Sequence, residues 1–221
     1  MNTIASTLVH RVLEPEGGGA GPFPVLLFLH GRGADEEDLL GLAPAIDPRF
    51  LILSVRAPIP FPSSTGFTWY HMNEIGSPDQ ESFRHACDTL ARFFNDMCAG
   101  YPIDPAKVFL FGFSMGAVMA FSLSLTQPEL VRGVVAHSGY IPEVSHLSFR
   151  WDGLQNTSFF VAHGTEDPII PVRWARRAKE LLDASPARSE LREYPMAHTI
   201  SDQSASDAAE WLRAALDAPA S

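Results

Sequence analysis

The chain has few cysteines, few basic residues and no long apolar run, and each shortage excludes a class of protein. Two cysteines in 221 residues are too few for a disulfide-stapled scaffold. The 16 Lys and Arg residues are outnumbered by 26 Asp and Glu residues, and a formal charge of −10 would repel a phosphate backbone. Nucleic acid is therefore not expected as a partner.

Membrane and export signals are missing as well. No segment reaches the roughly 18 consecutive apolar residues of a membrane span. The N-terminal residues lack the basic start and apolar core of a signal peptide. We therefore expect a cytoplasmic protein with no membrane span.

The two cysteines, Cys87 and Cys98, both fall in one predicted helix. Eleven residues of helix separate them by roughly 16 Å, well beyond disulfide reach. We predict that both are reduced core residues.

The helix itself is predicted over 78–99, with Ser77 as its cap, Pro78 in its first turn and Gln80 completing a capping box.

With 46% hydrophobic and 19% charged residues, the composition is that of a globular protein, and its length predicts a single domain over residues 1–221. Strand-like and helix-like patterns alternate along most of the chain. This alternation predicts an α/β fold, with a mainly parallel sheet and helices on both faces. In such sheets the active site lies beyond the carboxyl ends of the strands. A homodimer stays an open alternative.

The segment over 107–127 carries the strongest motif. An apolar run ends in Gly112-Phe113-Ser114-Met115-Gly116, and a helix-like run follows at once. A Gly-x-Ser-x-Gly sequence between a strand and a helix is the pattern of a nucleophile elbow. With 16 glycines in the chain, the motif would arise by chance about 0.1 times, so its surroundings must support it. We predict that Ser114 is a nucleophile.

A serine hydroxyl needs a base to take its proton, and that base needs a third group to fix its tautomer. Asp167 and His198 both follow predicted strands, and the chain order of serine, acid and histidine is that of an α/β-hydrolase triad. Glu166 is an alternative acid, and Ser138, which precedes a glycine after another strand, is an alternative nucleophile. His30 and His163 each precede a turn glycine and are expected to brace their turns.

The tetrahedral intermediate also needs hydrogen-bond donors for its oxyanion. The N–H after the nucleophile belongs to Met115, and the turn after the first buried strand offers the N–H of Arg32. The long loop over 56–76 contains Trp69 and Tyr70, which we consider candidates for substrate contact, together with Trp174. No His-x-x-x-His pair encloses an acid, so no metal site is expected.

Five segments together resemble one known family: LFLHGRGADEEDL, FGFSMGAVMAFSL, HSGY, AHGTEDPIIP and YPMAHTIS. They are similar to the phospholipase/carboxylesterase family, which includes acyl-protein thioesterases and bacterial carboxylesterases. The resemblance extends over roughly residues 26–211. Two positions depart from it: Arg32 stands where the thioesterase branch tends to carry an aliphatic residue, and Ala197 where glycine is common.

The resemblance implies an α/β-hydrolase fold and hydrolysis of carboxylic esters or thioesters without a cofactor. It implies Ser114 as nucleophile, His198 as general base and acid, and Asp167 as the partner of His198. So small a chain leaves no room for a large lid domain, which favours small ester or acyl substrates with short to medium acyl groups. An acyltransferase or perhydrolase with the same triad, and a non-catalytic binding protein, remain alternatives.

Overall fold

Seven strands form one sheet in the computed structural model, which describes residues 1, 3–62 and 65–219. The elements in chain order are β1 (His10–Leu13), β2 (Phe23–Leu29), β3 (Leu51–Val55), β4 (Ile59–Pro60), β5 (Phe67–Thr68), β6 (Met72–Glu74), β7 (Ser77–Pro78), α1 (Gln80–Gly100), β8 (Ile103–Phe113), α2 (Met115–Thr126), β9 (Gly133–His137), β10 (Ser158–Gly164), α3 (Arg173–Asp183), β11 (Arg188–Tyr194) and α4 (Asp202–Asp217). Short 3-10 helices cover Asp38–Ala45, Pro128–Leu130 and Trp151–Asn156.

The strand order across the sheet is β1-β3-β2-β8-β9-β10-β11. The edge strand β1 pairs antiparallel with β3, and the other six strands run parallel. All six parallel strands therefore present their carboxyl ends along one edge of the sheet. The predicted mainly parallel sheet is confirmed, although the first strand covers only the end of the stretch that the sequence indicates.

Helices cover both faces of the sheet, as predicted. Successive side chains of β2 point to opposite faces: Val25 and Leu27 belong to one buried cluster, and Leu26 and Phe28 belong to another. The buried residues of α1, α2 and α3 lie in the first cluster, and those of α4 lie in the second. A strand buried on both faces explains the continuous apolar runs in the sequence.

The structure corrects the predicted start of α1. Its N-cap is Asp79, whose carboxylate accepts the N–H of Ser82, while Ser77 and Pro78 belong to the short strand β7. Gln80 donates to the carbonyl of Pro78 and does not complete a capping box. An aspartate one position before the helix competes with serine for the cap, because both side chains can accept that N–H bond.

The prediction for the cysteines is half correct. Cys87 and Cys98 are unpaired and lie on α1, but Cys98 is exposed and Cys87 is only partly buried. The buried face of the helix ends at Met97, and the last three residues, 98–100, are exposed. At the other end of the chain, Ser201 and Ser204 form a reciprocal capping box at the start of α4.

The long loop over 56–76 contains the antiparallel pair of β4 with β5 and also β6, which pairs antiparallel with β7 directly after the loop. Two of its serines, residues 63 and 64, lie outside the described residues. Phe67, in β5, also forms an isolated bridge with Ala34, in the turn after β2. The loop is therefore joined by main-chain contacts to one of the turns at the carboxyl edge of the sheet.

Within the described ranges, no helix is long and apolar enough to cross a membrane, and no group of three or more His, Cys, Asp or Glu side chains is arranged to hold a metal ion.

Candidate active site

Three side chains predicted to act together meet at the carboxyl edge of the sheet. Ser114 follows β8, Asp167 follows β10, and His198 follows β11. His198 Nε2 lies 2.9 Å from Ser114 Oγ, and His198 Nδ1 lies 2.7 Å from Asp167 Oδ2. Both distances are those of hydrogen bonds. Asp167 is buried, whereas Ser114 and His198 are partly exposed to solvent, so the serine end of this chain of bonds is accessible.

The backbone of Ser114 is strained. Its φ of 55° and ψ of −117° lie outside the regions that L-residues ordinarily occupy, at a cost of about 1 to 3 kcal/mol. Its N–H donates to the carbonyl of His137 at 2.8 Å, which ties the turn to the neighbouring strand β9. The strain lifts the hydroxyl out of the sheet, as the elbow motif predicts.

The two glycines of the motif are required by close backbone approaches. A Cβ on Gly116 would lie 1.9 Å from the carbonyl oxygen of Leu29 in β2. A Cβ on Gly112 would lie 2.4 Å from the carbonyl oxygen of Gly116 itself. Any side chain at either position would push α2 away from the sheet, and Ser114 would move with the helix.

The carboxylate of Asp167 is fixed on both oxygens. Oδ1 accepts the N–H groups of Ile169 and Ile170, each at 2.8 Å, and Oδ2 faces His198. His163 Nε2 donates to the carbonyl of Ile170 at 2.6 Å, so this histidine braces the acid loop as expected. The alternative acid, Glu166, is exposed, and the structure records no bond from its side chain to the histidine. The geometry favours Asp167.

The alternative nucleophile, Ser138, does not reach the cleft. It is fully buried, and its Oγ lies 3.1 Å from Nδ1 of His137, the residue before it. Its φ of 54° resembles that of Ser114, but no α-helix begins after it. A strained serine after a strand is thus a necessary feature of the elbow and not a sufficient one.

The turn over 30–34 lies opposite Ser114. His30 Nδ1 donates to the carbonyl of Gly31 at 2.7 Å, and its Nε2 accepts the N–H of Ala57 at 3.0 Å. Burial lowers the pKa of His30, which keeps the ring neutral and able to accept that bond. His30 therefore braces the turn, as the sequence indicates, and does not act as a base.

Residues of the 56–76 loop hold the same turn from outside. Trp69 Nε1 donates to the carbonyl of His30 at 3.0 Å. The N–H of Gly33 donates to the carbonyl of Phe67, and the N–H of Phe67 donates to the carbonyl of Ala34, both at 2.7 Å. These bonds fix the backbone on both sides of Arg32. Sequence reasoning left the role of this loop open, because contacts between residues so far apart leave no local signal.

The two residues predicted to supply the oxyanion donors lie beside Ser114. Arg32 and Met115 both line the cleft beside Ser114. Met115 is the first residue of α2, where main-chain N–H groups lack partners within the helix. In the part of the chain that the structure describes, no protein acceptor is recorded for the N–H of Met115 or of Arg32.

The cleft has a volume of about 430 Å³. Most of its wall is apolar, and the polar groups gather near Ser114. Its lining residues are Gly31, Arg32, Gly33, Ala34, Asp38, Tyr70, Met72, Ile75, Phe113, Ser114, Met115, Tyr140, Ile169, Ile170 and His198. No separate lid domain covers it among the described residues.

The structure corrects two of the three predicted substrate contacts. Trp69 is completely buried, does not line the cleft, and serves instead as a donor to His30. Trp174 lies behind the cleft wall, with its ring 5.1 Å from that of Tyr140. Tyr70 does line the cleft, although only 1% of its surface is exposed. Whether an aromatic side chain of a loop lies in the core or in the cleft depends on the backbone conformation of the loop, which the sequence alone does not give.

His137 is a supporting residue that sequence reasoning missed. Besides accepting the N–H of Ser114, it places its ring Nε2 2.9 Å from Ser204 Oγ, at the start of α4. Burial, with the nearby His163 and His198, lowers its pKa to about 3, so the ring is neutral. The sequence feature that could have identified this residue is a histidine at the end of an apolar run. His137 thus links the elbow to α4, the helix that follows His198.

Comparisons with known proteins identify related hydrolases. A family model described as phospholipase/carboxylesterase matches residues 17–216. The acyl-protein thioesterase 1 of Candida albicans is 25% identical over 226 residues, which cover 93% of this chain and 97% of that protein. The putative hydrolase MhqD of Bacillus subtilis is 26% identical, over 87% of this chain and 94% of its own.

Solved structures give the same result. A carboxylesterase of Bacillus cereus matches with a TM-score of 0.83 and 27% identity, covering 94% of both chains. The predicted α/β-hydrolase fold is confirmed. Because the family model spans most of its length, the chain belongs to the phospholipase/carboxylesterase family of α/β-hydrolases.

Proposed function

We propose that this protein hydrolyses carboxylic esters or thioesters through an acyl-enzyme formed on Ser114. The observation that carries the proposal is the continuous hydrogen-bonded series from Ser114 Oγ through His198 to the buried Asp167. The family and its named relatives support a serine hydrolase of the carboxylesterase and thioesterase type.

In the first step, Ser114 Oγ attacks the carbonyl carbon while His198 Nε2 takes its proton. Asp167 holds the other ring nitrogen and stabilises the imidazolium that forms. The tetrahedral intermediate collapses when His198 gives the proton to the departing alcohol or thiol. Water, activated by the same histidine, then attacks the acyl-enzyme and releases the acid.

The negative charge of each intermediate falls on the former carbonyl oxygen. We propose that the N–H groups of Arg32 and Met115 receive it. Both residues line the cleft with Ser114, and the turn that carries Arg32 is held on both sides by the 56–76 loop. Fixed donors need no reorganisation during the reaction, and one such donor is worth about 10²- to 10³-fold in kcat.

The substrate proposed is a small ester or thioester with a short to medium acyl chain. An apolar cleft of about 430 Å³ supports this size, and its apolar wall includes Met72, Ile75 and Tyr70.

We also propose that residues 1–221 act as one domain in the cytoplasm, where the unpaired Cys87 and Cys98 would stay reduced. Light scattering would distinguish a monomer from the homodimer that the sequence leaves open.

The nucleophile is tested by labelling the folded protein with a fluorophosphonate and mapping the adduct by mass spectrometry. We expect one adduct, on Ser114, and loss of p-nitrophenyl acetate hydrolysis in Ser114→Ala. Ser138→Ala is the matched control, since it removes the other strained serine, and it should still be labelled. An adduct elsewhere, or full activity in Ser114→Ala, would contradict the mechanism.

A further inference from the structure

The proposed function uses only the backbone N–H of Arg32, and its side chain is unexplained. The residue lines the cleft and is exposed. Its guanidinium lies 4.7 Å from the ring centroid of Phe61, which supports it at the rim where the 56–76 loop meets the cleft. A charged group is thus held beside the place where an ester carbonyl would bind.

Two of the neighbouring acids are already bound to other arginines. Arg56 pairs with Glu36 at 2.6 Å, and Arg11 pairs with Glu37 at 2.5 Å. In the described part of the chain, no carboxylate lies within ion-pair distance of Arg32, Asp38 of the same cleft included. The guanidinium therefore keeps its hydrogen-bond donors for a ligand.

The position of Arg32 sets where such a ligand group would lie. The N–H proposed to bind the oxyanion belongs to the same residue as the guanidinium, so the charged group lies within about one side-chain length of the reacting carbonyl. A guanidinium offers paired donors that match a carboxylate or phosphate. The remaining cleft wall, which includes Met72, Ile75 and Ile169, suits the apolar part of the substrate.

We infer that Arg32 is a specificity-determining residue that recognises an anionic group, such as a carboxylate, a few bonds from the scissile ester or thioester carbonyl. The inference rests on the proposed function, because it specifies the substrate of the same site. The preferred substrate class is then a half-ester or half-thioester of a dicarboxylic acid, or an ester with an acidic leaving group.

The test compares pairs of substrates that differ only in charge. For the acyl side, the pair is 4-nitrophenyl hydrogen adipate and its primary-amide analogue. For the leaving-group side, it is 3-acetoxybenzoate and 3-acetoxybenzamide. The measured quantity is the ratio of kcat/KM for the anion to kcat/KM for the amide, after subtraction of enzyme-free hydrolysis. A ratio cancels any effect that a substitution has on the oxyanion donor itself.

We expect the wild-type ratio to exceed one for at least one pair and to fall about ten-fold in Arg32→Gln, the loss typical of a charge-assisted hydrogen bond. Arg32→Lys should keep part of the preference. Arg84→Gln is the matched control, because it removes the same charge from an exposed arginine on α1 that does not line the cleft. Its ratio should equal that of the wild type.

Salt gives a second measurement, made on the wild type and on Arg32→Gln. The wild-type ratio should decrease as ionic strength rises, while the ratio in Arg32→Gln should not change. Equal ratios in wild type and Arg32→Gln, or a wild-type preference for the amides, would overturn the inference and leave the proposed function intact. If the wild type hydrolyses none of the four esters and takes no fluorophosphonate label, the proposed function itself fails.

Discussion

The two sides of the cleft are built in different ways. The elbow over 112–116 is fixed by close backbone packing: Gly116 lies against β2, and the N–H of Ser114 is bonded to β9. The turn over 30–34 is fixed by a distant loop, through bonds from Trp69 and Phe67. Close backbone packing against neighbouring strands of the sheet holds one side, and hydrogen bonds from a loop outside the sheet hold the other.

The two kinds of contact differ in how well they tolerate amino-acid substitutions. Atoms in close backbone contact cannot give way, so the elbow admits only glycine at two positions. A turn held by hydrogen bonds can shift slightly and still close, at a cost to the placement of its donors. Substitutions on the elbow side should therefore affect stability, and those on the turn side should affect stability less and catalysis relatively more.

The largest effect on kcat is expected from a substitution in the hydrogen-bonded series of Ser114, His198 and Asp167, which both sides of the cleft support. Asp167→Asn should lower kcat by a factor on the order of 10⁴, because an amide stabilises the wrong tautomer of His198 and cannot stabilise the imidazolium. The measurement is steady-state hydrolysis of p-nitrophenyl acetate. Glu166→Gln, one residue away, is the control and should retain full kcat. A large loss of kcat in that variant would mean that Glu166, and not Asp167, is the acid that pairs with His198.

The contrast between the two sides is tested directly by glycine substitutions. Gly116→Ala should reduce the free energy of unfolding by about 3 kcal/mol, because its Cβ would overlap a backbone carbonyl. Gly31→Ala should cost within about 1 kcal/mol, since its Cβ would lie 3.2 Å from the side chain of Phe113, which can move. Urea denaturation measures both.

Gly41→Ala is the control for these substitutions, because nothing lies within 4 Å of its Cβ position. It should leave stability nearly unchanged. Equal losses in Gly116→Ala and Gly31→Ala would remove the distinction between a rigid elbow and an adjustable turn.

The pH dependence of stability tests the support behind the elbow. Burial lowers the pKa of His137 to about 3, against an ordinary value of 6.5, so the unfolded chain binds a proton that the folded protein does not. The stability that this neutral histidine contributes is complete above pH 6.5 and is lost as the pH falls towards 3. Between pH 6.5 and 5 the loss from this group alone should be about 2 kcal/mol.

His137→Gln checks the origin of that loss. Its stability should depend less steeply on pH over the same interval, because glutamine has no proton to gain. Unfolding free energies from urea titrations at pH 6.5 and 5 give the comparison. An unchanged slope would mean that other groups, such as the buried His30 and His163, account for the acid sensitivity.

The smallest effect is expected on the turn side. Trp69→Phe removes the donor to the carbonyl of His30 and should reduce stability by about 1 to 2 kcal/mol. It should also lower kcat, by less than the roughly 100-fold that loss of a whole oxyanion donor costs, because the turn is loosened but still present. Trp174→Phe, behind the cleft wall, is the matched control for loss of an indole. An equal kcat loss there would argue against the brace.

Much of the site could be predicted because its signals are local. A glycine motif between a strand and a helix requires close packing, and Ser114, Asp167 and His198 each follow a predicted strand. Parallel strands bring their carboxyl ends to one edge, so three separated segments could be placed together before any coordinates were known. The same reasoning identified His30 and His163 as bracing residues.

The substrate contacts could not be predicted in the same way. Trp69 and Tyr70 are adjacent in one loop, yet one is a buried donor and the other lines the cleft. Sequence patterns give no path for a loop of this length, because its conformation depends on hydrogen bonds to Ala34 and His30 rather than on periodicity. The start of α1 was missed for a related reason: two nearby residues, Ser77 and Asp79, can both cap a helix.

The sequence by itself determined the parallel sheet, the elbow and the order of serine, acid and histidine, since each follows from repeating patterns or short motifs. Tertiary structure alone decided that the 56–76 loop clamps the turn over 30–34 and that His137 links the elbow to α4. It also decided that the guanidinium of Arg32 has no carboxylate partner among the residues that the structure describes. These depend on contacts between residues far apart in the chain, whose pairing is set by the packing of the whole molecule.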